Sequence, residues 1–239
     1  SPFVRKLRVS KATAGVVRRG HPWVLPDRET GSLDRLSMGQ KVELVTRDGR
    51  VVGVALACPG ERVVARVVAR PGDAYDPLER LNRALDRRAG LLRAADTDVY
   101  RLVHGESDGL PGLFVDRYGP ALLAVRQSLC LQPWLAAIYA ELQRRTGLSL
   151  LWEKDHLADL RRSPVTGRSI AGDPPDELEV LERGLRFGVA PFGPLATGLY
   201  PDQRANRALL QRLGPFRRVL NLFAYTGAFS VSALHDGAE

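Results

Sequence analysis

The apolar positions change period along the chain, and each change marks a unit. Two β-rich runs, residues 40–46 (QKVELVT) and 51–57 (VVGVALA), flank Asp48-Gly49, the dipeptide of tight hairpin turns, so a hairpin is expected there. After Pro59-Gly60 a further strand is expected over residues 62–70 (RVVARVVAR), where Arg62, Arg66 and Arg70 recur every fourth residue and so share one face at period two. The pattern then breaks at residues 70–77 (RPGDAYDP), a linker closed by Asp76 as N-cap and Pro77 as first helical residue. Beyond it Leu78, Leu81, Leu85, Ala89 and Leu92 fall on one face of a helix. Arg80, Arg83, Arg87 and Arg88 fall on the other, as a solvated face or a track for phosphates. Next come a hairpin (112–116 and 121–125, around Tyr118-Gly119), a helix over 134–145, a strand at 148–152 and a second hairpin (178–182 and 185–189, around Arg183-Gly184). Three regions result: 1–72, rich in strands; 73–190, a mixed α+β module; and 191–239.

The last region changes period again. An amphipathic stretch, residues 208–213, is closed by Gly214-Pro215 and leads to Val219, Leu220, Leu222 and Phe223, a short apolar run suited to a strand covered on both faces. Gly227 follows, and Ala228, Phe229, Val231, Ala233 and Leu234 then have helical spacing, so the free backbone N–H groups of a helix start would face a polar ligand. Strand, glycine turn and helix make a Rossmann-like cofactor unit. With one glycine and no G-x-G-x-x-G, a cofactor without phosphates fits better than a dinucleotide. An ordinary βα unit of an α/β domain has the same pattern.

Charge changes the picture next. The chain of 239 residues holds 35 Lys and Arg against 27 Asp and Glu, a net charge of +8, and arginine far outnumbers lysine. That excess favours a polyanionic partner and bidentate phosphate contacts, although a GC-rich or thermophilic genome produces the same bias. Lys11, Arg18, Arg19 and His21 join Arg62, Arg66 and Arg70 in the first region as an expected RNA-backbone surface. Trp23 either stacks a base or packs into the core. Glu106 and Asp108, in the glycine-bounded loop 105–109, have no histidine at ligand spacing, so turn chemistry is expected there and no metal site. His104 and His156 are isolated in sequence. Cys58 and Cys130, two cysteines far apart in sequence, cannot be read as a disulfide framework or a zinc site and are expected to be buried structural thiols. No apolar run approaches the roughly 20 residues that span a bilayer, and a cytoplasmic location is expected.

The motifs together resemble a known family. Residues 197–207 (TGLYPDQRANR) precede 219–229 (VLNLFAYTGAF), and upstream stand 18–24 (RRGHPWV), 103–113 (VHGESDGLPGL) and 115–119 (VDRYG). In this order they resemble the RlmI-type 23S rRNA (cytosine-5) methyltransferases, with Pro201 and Leu199 departing from the usual pattern. The resemblance implies an α/β and α+β multidomain fold: a PUA-like β-barrel over 1–72, a central α+β module over 73–190, and the start of a Rossmann-like methyltransferase domain over 191–239. It further implies S-adenosyl-L-methionine held by Tyr200, Asp202, Arg204, Arg207, Asn221, Phe223, Tyr225, Thr226 and Gly227. The partner implied is 23S rRNA or a large-subunit assembly intermediate, with a homodimer left open. In such enzymes a cysteine thiolate adds to carbon-6 of cytosine, carbon-5 takes the methyl group from the sulfonium, and a base then removes the carbon-5 proton as the cysteine is eliminated. That cysteine and the acid for the cofactor ribose are expected beyond Glu239, so no catalytic residue is assigned within this chain, and the chain alone is expected to be inactive. Two alternatives stand beside this reading: a non-catalytic RNA-binding protein, and a related methyltransferase acting on guanine nitrogen-7.

Overall fold

The computed structural model describes residues 4–92, 94–157, 165–173, 175–193 and 197–238. In the first region strands β1 (Arg5–Arg8), β2 (Trp23–Val24), β3 (Lys41–Val45), β4 (Val51–Ala57) and β5 (Ala65–Ala69) form one sheet in the order β1-β3-β4-β5-β2. The β3–β4 hairpin stands where Asp48-Gly49 places it, with Gly49 donating to Thr46 O at 2.9 Å. Helix α1 (Lys11–Arg18) lies outside the strand pattern read from the sequence. Its N-cap is Ser10, whose Oγ accepts from Thr13 N at 3.1 Å. Its buried face, Ala14 and Val17, closes a core with Leu7, Val24, Val42, Leu44 and Ala55.

The central module is built on β6 (Val99–His104), β7 (Leu113–Tyr118), β8 (Ala121–Arg126), β9 (Leu150–Asp155) and β10 (Thr166–Ala171), in the order β10-β9-β8-β7-β6. Strands β8 and β9 run parallel because helix α4 (Leu135–Thr146) carries the chain back between them. Leu81 and Leu85 of helix α2 (Pro77–Arg87) join Ile138 and Leu142 of α4 on one face of this sheet, against Tyr100, Leu102, Val115, Leu122 and Leu151. The single helix expected through Leu92 divides at Arg88 (φ −105°, ψ 10°), and a short helix α3 (Ala89–Leu92) follows. Arg87 and Arg88 there both pair with buried Asp108, at 3.2 and 2.9 Å. They therefore leave the expected arginine track to Arg80 and Arg83. On the other face of the sheet, the hairpin of β11 (Leu178–Glu182) and β12 (Leu185–Val189) covers Val99, Tyr118 and Leu123.

The boundary near residue 72 is a boundary of pattern and not of packing. Leu56 and Cys58 of the first region lie in the same core as Tyr75, Tyr100 and Cys130 of the second. Gly39 permits the approach, since a Cβ there would lie 2.5 Å from Cys130 O.

The last region departs most from expectation. Helices α5 (Arg204–Leu213) and α6 (Ala228–His235) form, but residues 219–223 make no strand. Leu220, Leu222 and Phe223 are 83%, 69% and 103% exposed. A strand of this composition needs paired neighbours and two covered faces, and no described strand pairs with this segment. The local sequence therefore makes its turn and its helix, which are locally bonded, and leaves the strand unformed.

Candidate functional site

The glycine turn is built from left-handed backbone. Phe223, Tyr225 and Gly227 have φ of 58°, 53° and 81°, and Gly227 stands as the N-cap of α6 with no side-chain cap. Left-handed geometry is natural for glycine but costs of order 1–3 kcal/mol at an aromatic residue. Two contacts hold it. Gly198 N donates to Tyr225 Oη at 3.0 Å, and Thr226 Oγ1 donates to Gly198 O at 2.6 Å. The rings of Tyr200 and Tyr225 lie 5.0 Å apart at 31°. Asn221 Nδ2 donates to Ser230 Oγ at 3.0 Å, fastening the entry of the turn to α6. The two motifs, 27 positions apart at Gly198 and Tyr225, thus form one surface beside the uncapped start of a helix.

The expected cofactor residues divide on this surface. Tyr200, Asp202, Tyr225 and Thr226 are exposed together. Phe223 is fully exposed, and Arg204 turns back to Val99 O at 3.5 Å. Arg207 departs from the expectation: it is 2% exposed, and its Nε and Nη2 donate to Glu182 Oε1 and Oε2 at 2.6 and 2.7 Å. Nη2 also donates to Tyr200 O at 2.9 Å. The guanidinium is occupied by a buried carboxylate, so its role here is to position Tyr200. No spacing in the sequence signals Glu182 as its partner.

The expected RNA surface also divides. Arg18, Arg19, His21 and Arg70 line a cleft of about 940 Å³ whose other wall carries Arg80 and Arg83 of α2. Lys11 lies on a separate groove of about 530 Å³ with Arg47 and Arg50, and Arg62 is exposed before the start of β5. Arg66 departs from the expected surface. It is 6% exposed, pairs with Glu106 at 2.6 Å and lies 5.7 Å over the Trp23 ring. The three arginines therefore do not share a face: Arg62 precedes β5, Arg70 follows it, and Arg66 in the strand points inward. Trp23 is 42% exposed, and its Nε1 donates to Glu106 Oε1 at 2.8 Å. Glu106 thus joins the first region to the second, and Asp108 adds pairs with Arg87 and Arg88 to its local bond from His104 N, so the loop carboxylates act across the fold and not only in the turn chemistry expected. Among the described residues no His, Cys, Asp and Glu cluster could hold a metal ion, and no helix is long and apolar enough to cross a membrane.

Cys58 and Cys130, far apart in sequence, meet in the fold. Both are fully buried, and both approach Ser128: Cys58 Sγ lies 3.9 Å from its Oγ, and Cys130 N donates to that Oγ at 3.2 Å. The hydrogen bond to Cys58 and burial hold the Cys130 thiol well above its usual range.

Lys154 is 2% exposed, and its Nζ has no hydrogen-bond partner among the described residues. Burial lowers its pKa to about 8. Between that value and the ordinary value of about 10.4 the unfolded chain binds the extra proton, so stability rises with pH across this window. Lys154→Met is expected to stabilise the protein at pH 7 by about 1–3 kcal/mol in urea denaturation and to flatten the rise between pH 8 and 10. A destabilised variant would show that the amine has a partner.

Comparison with known proteins follows the same division. Residues 132–239 match the family model of S-adenosylmethionine-dependent methyltransferases, and residues 7–70 match the model of a PUA-like domain. The chain is 32% identical over 245 residues to the ribosomal RNA large subunit methyltransferase I of Citrobacter koseri and 33% identical to that of Cronobacter sakazakii, covering 98% of this chain and 61% of each relative. It thus spans about three fifths of the length of these relatives. Among solved structures, a Streptococcus mutans protein described as a SAM-dependent methyltransferase superposes with a TM-score of 0.79 at 23% identity, over 98% of this chain and 61% of its own. A methyltransferase solved in complex with SAH gives the same values. These last two show the fold.

Proposed function

We propose, from a chain whose residues 132–239 match the S-adenosylmethionine-dependent methyltransferases and whose residues 7–70 match a PUA-like domain, that the whole protein methylates large-subunit ribosomal RNA. The observation that carries this reading is the mutual grip of Gly198 with Tyr225 and Thr226 beside the start of α6. Nothing stands within 4 Å of the position a Cβ would take at Gly227, so backbone can approach a ligand there. Tyr200, Asp202, Asn221, Tyr225, Thr226 and Gly227 are the residues that would hold S-adenosyl-L-methionine. When bound, that cofactor supplies an electrophilic methyl group on sulfur. The chain's own contribution is to bind and orient: Arg207 and Glu182 fix Tyr200, and Asn221 fixes the turn to its helix. The basic cleft between Arg19 and Arg83 supplies the electrostatic surface for RNA, and a location in the cytoplasm suits that substrate.

The chemistry within this reading is methyl transfer to carbon-5 of a cytosine in 23S rRNA, either free or in an assembling subunit. Cys58 and Cys130 are buried between the first two regions, so a thiolate nucleophile has to come from a different cysteine of the whole protein. The alternative, guanine nitrogen-7, requires no such cysteine.

Asp202→Ala in the full-length protein is expected to weaken S-adenosylmethionine binding about tenfold or more by titration calorimetry. An unchanged dissociation constant would remove Asp202 from the site. Nucleoside mass spectrometry of 23S rRNA methylated by the parent protein separates the two bases.

A further inference from the structure

Helices α2 and α4 close one face of the central sheet, but the other face is divided. Val99, Tyr118 and Leu123 pack beneath the β11–β12 hairpin. Toward its other end this face carries Arg101, Phe114, Asp116 and His156, and residues 200–202 form the facing wall of a cleft of about 220 Å³. That volume is below the roughly 300–1,000 Å³ of sites for drug-sized ligands and suits a single ring system.

Arg101 is held rigidly in this cleft. Its Nε and Nη2 donate to Asp116 Oδ1 and Oδ2 at 2.8 and 2.9 Å. Its guanidinium carbon lies 5.2 Å from the centre of the Phe114 ring, which His104 braces edge-on at 5.4 Å. One edge is fixed by a carboxylate and one face by an aromatic ring, while 38% of the side chain stays accessible. A planar cation held in this way stacks a flat heterocycle.

His156 is the second, independent observation. Its backbone N donates to Arg126 O at 2.8 Å, which fixes the chain, yet its Nε2 is buried without a hydrogen-bond partner among the described residues. Burial and the charge of Lys154 lower its pKa, so the ring is neutral near pH 7 and Nε2 is a single donor or acceptor. Leaving such an atom unmatched costs about 1–3 kcal/mol. On the opposite wall Asp202 is exposed, and its carboxylate accepts from Gln203 Nε2 at 3.0 Å.

We infer that this cleft receives one nucleobase of the RNA substrate, with Arg101 stacked on its face and the His156 imidazole along its edge. The inference rests on the reading of the protein as an RNA methyltransferase and adds the place where a base is read. Base extrusion costs a few kcal/mol, which stacking on Arg101 helps offset. The wall at residues 200–202 continues into the Gly198–Tyr225 contact, so a base held here lies beside the cofactor segment.

The test uses the full-length protein, unmethylated 23S rRNA and S-adenosylmethionine. Arg101→Lys keeps a cation beside Asp116 but loses the plane, and His156→Ala removes the edge contact. Each is expected to lower kcat/KM for RNA by about tenfold to a hundredfold, with the cofactor dissociation constant within twofold of the parent and the melting temperature preserved. Unchanged transfer in both variants would overturn the inference. So would a parallel loss of cofactor affinity, which would assign the cleft to the cofactor. Should Arg101→Lys fail to fold, His156→Ala decides by the same criteria. A parent protein that binds no cofactor and methylates no rRNA would instead bring down the proposed function itself, and this inference with it.

Discussion

Glu182→Ala is expected to lower stability by about 3–5 kcal/mol, read as a fall in the midpoint of chemical denaturation. Glu182 and Arg207 are each 3% exposed at their side chains and meet in a bidentate contact. Removing the carboxylate leaves a buried guanidinium whose remaining contacts among the described residues include Tyr200 O at 2.9 Å and the Phe229 ring at 5.7 Å. The large effect is the cost of the uncompensated charge and not the worth of the pair. Replacing both residues by methionine should accordingly recover most of the loss. A single-variant loss below about 1 kcal/mol would mean that the pair is solvated, like an exposed ion pair. Because Arg207 supports the Tyr200 carbonyl, the single variant should also loosen the tilted Tyr200–Tyr225 ring pair.

Affinity of the full-length protein for rRNA is expected to fall about 10³–10⁵-fold between 50 and 200 mM salt, as for a protein that neutralises six to ten phosphates. Arg18, Arg19, Arg70, Arg80 and Arg83 converge on one cleft. Lys11 and Arg62 lie outside it and should contribute less. Arg83→Glu should therefore reduce both affinity and the slope of its salt dependence, whereas Arg66→Gln should reduce stability first, since Arg66 holds Glu106 at 2.6 Å. A flat salt response would exclude the cleft as a phosphate-binding surface. Filter binding across a salt series makes the measurement.

How far each feature could be read from the chain depended on the range of the interaction that makes it. The β3–β4 hairpin, the Asp76-capped start of α2 and the β7–β8 and β11–β12 hairpins were legible, because turn residues and period act over a few positions. Helix α1 was missed because its cap and short apolar face lie among strand-like residues. The motif residues of the candidate site were legible as well, since Gly198, Tyr225 and Thr226 stand in recognisable local segments. Their mutual hydrogen bonds were not.

The sequence by itself determined the local elements, the family resemblance and the sign of the surface charge, all of which follow from neighbouring residues and composition. Only the tertiary structure decided which charges remain available. It buried Arg66 against Glu106 and Arg207 against Glu182, brought Cys58 and Cys130 together, and set Arg101 on Phe114 in a cleft that His156 also lines. It also left residues 219–223 without the strand their composition favours. The physical reason is common to all of these: ion pairing, burial and sheet pairing depend on partners distant in sequence, and no local pattern names those partners.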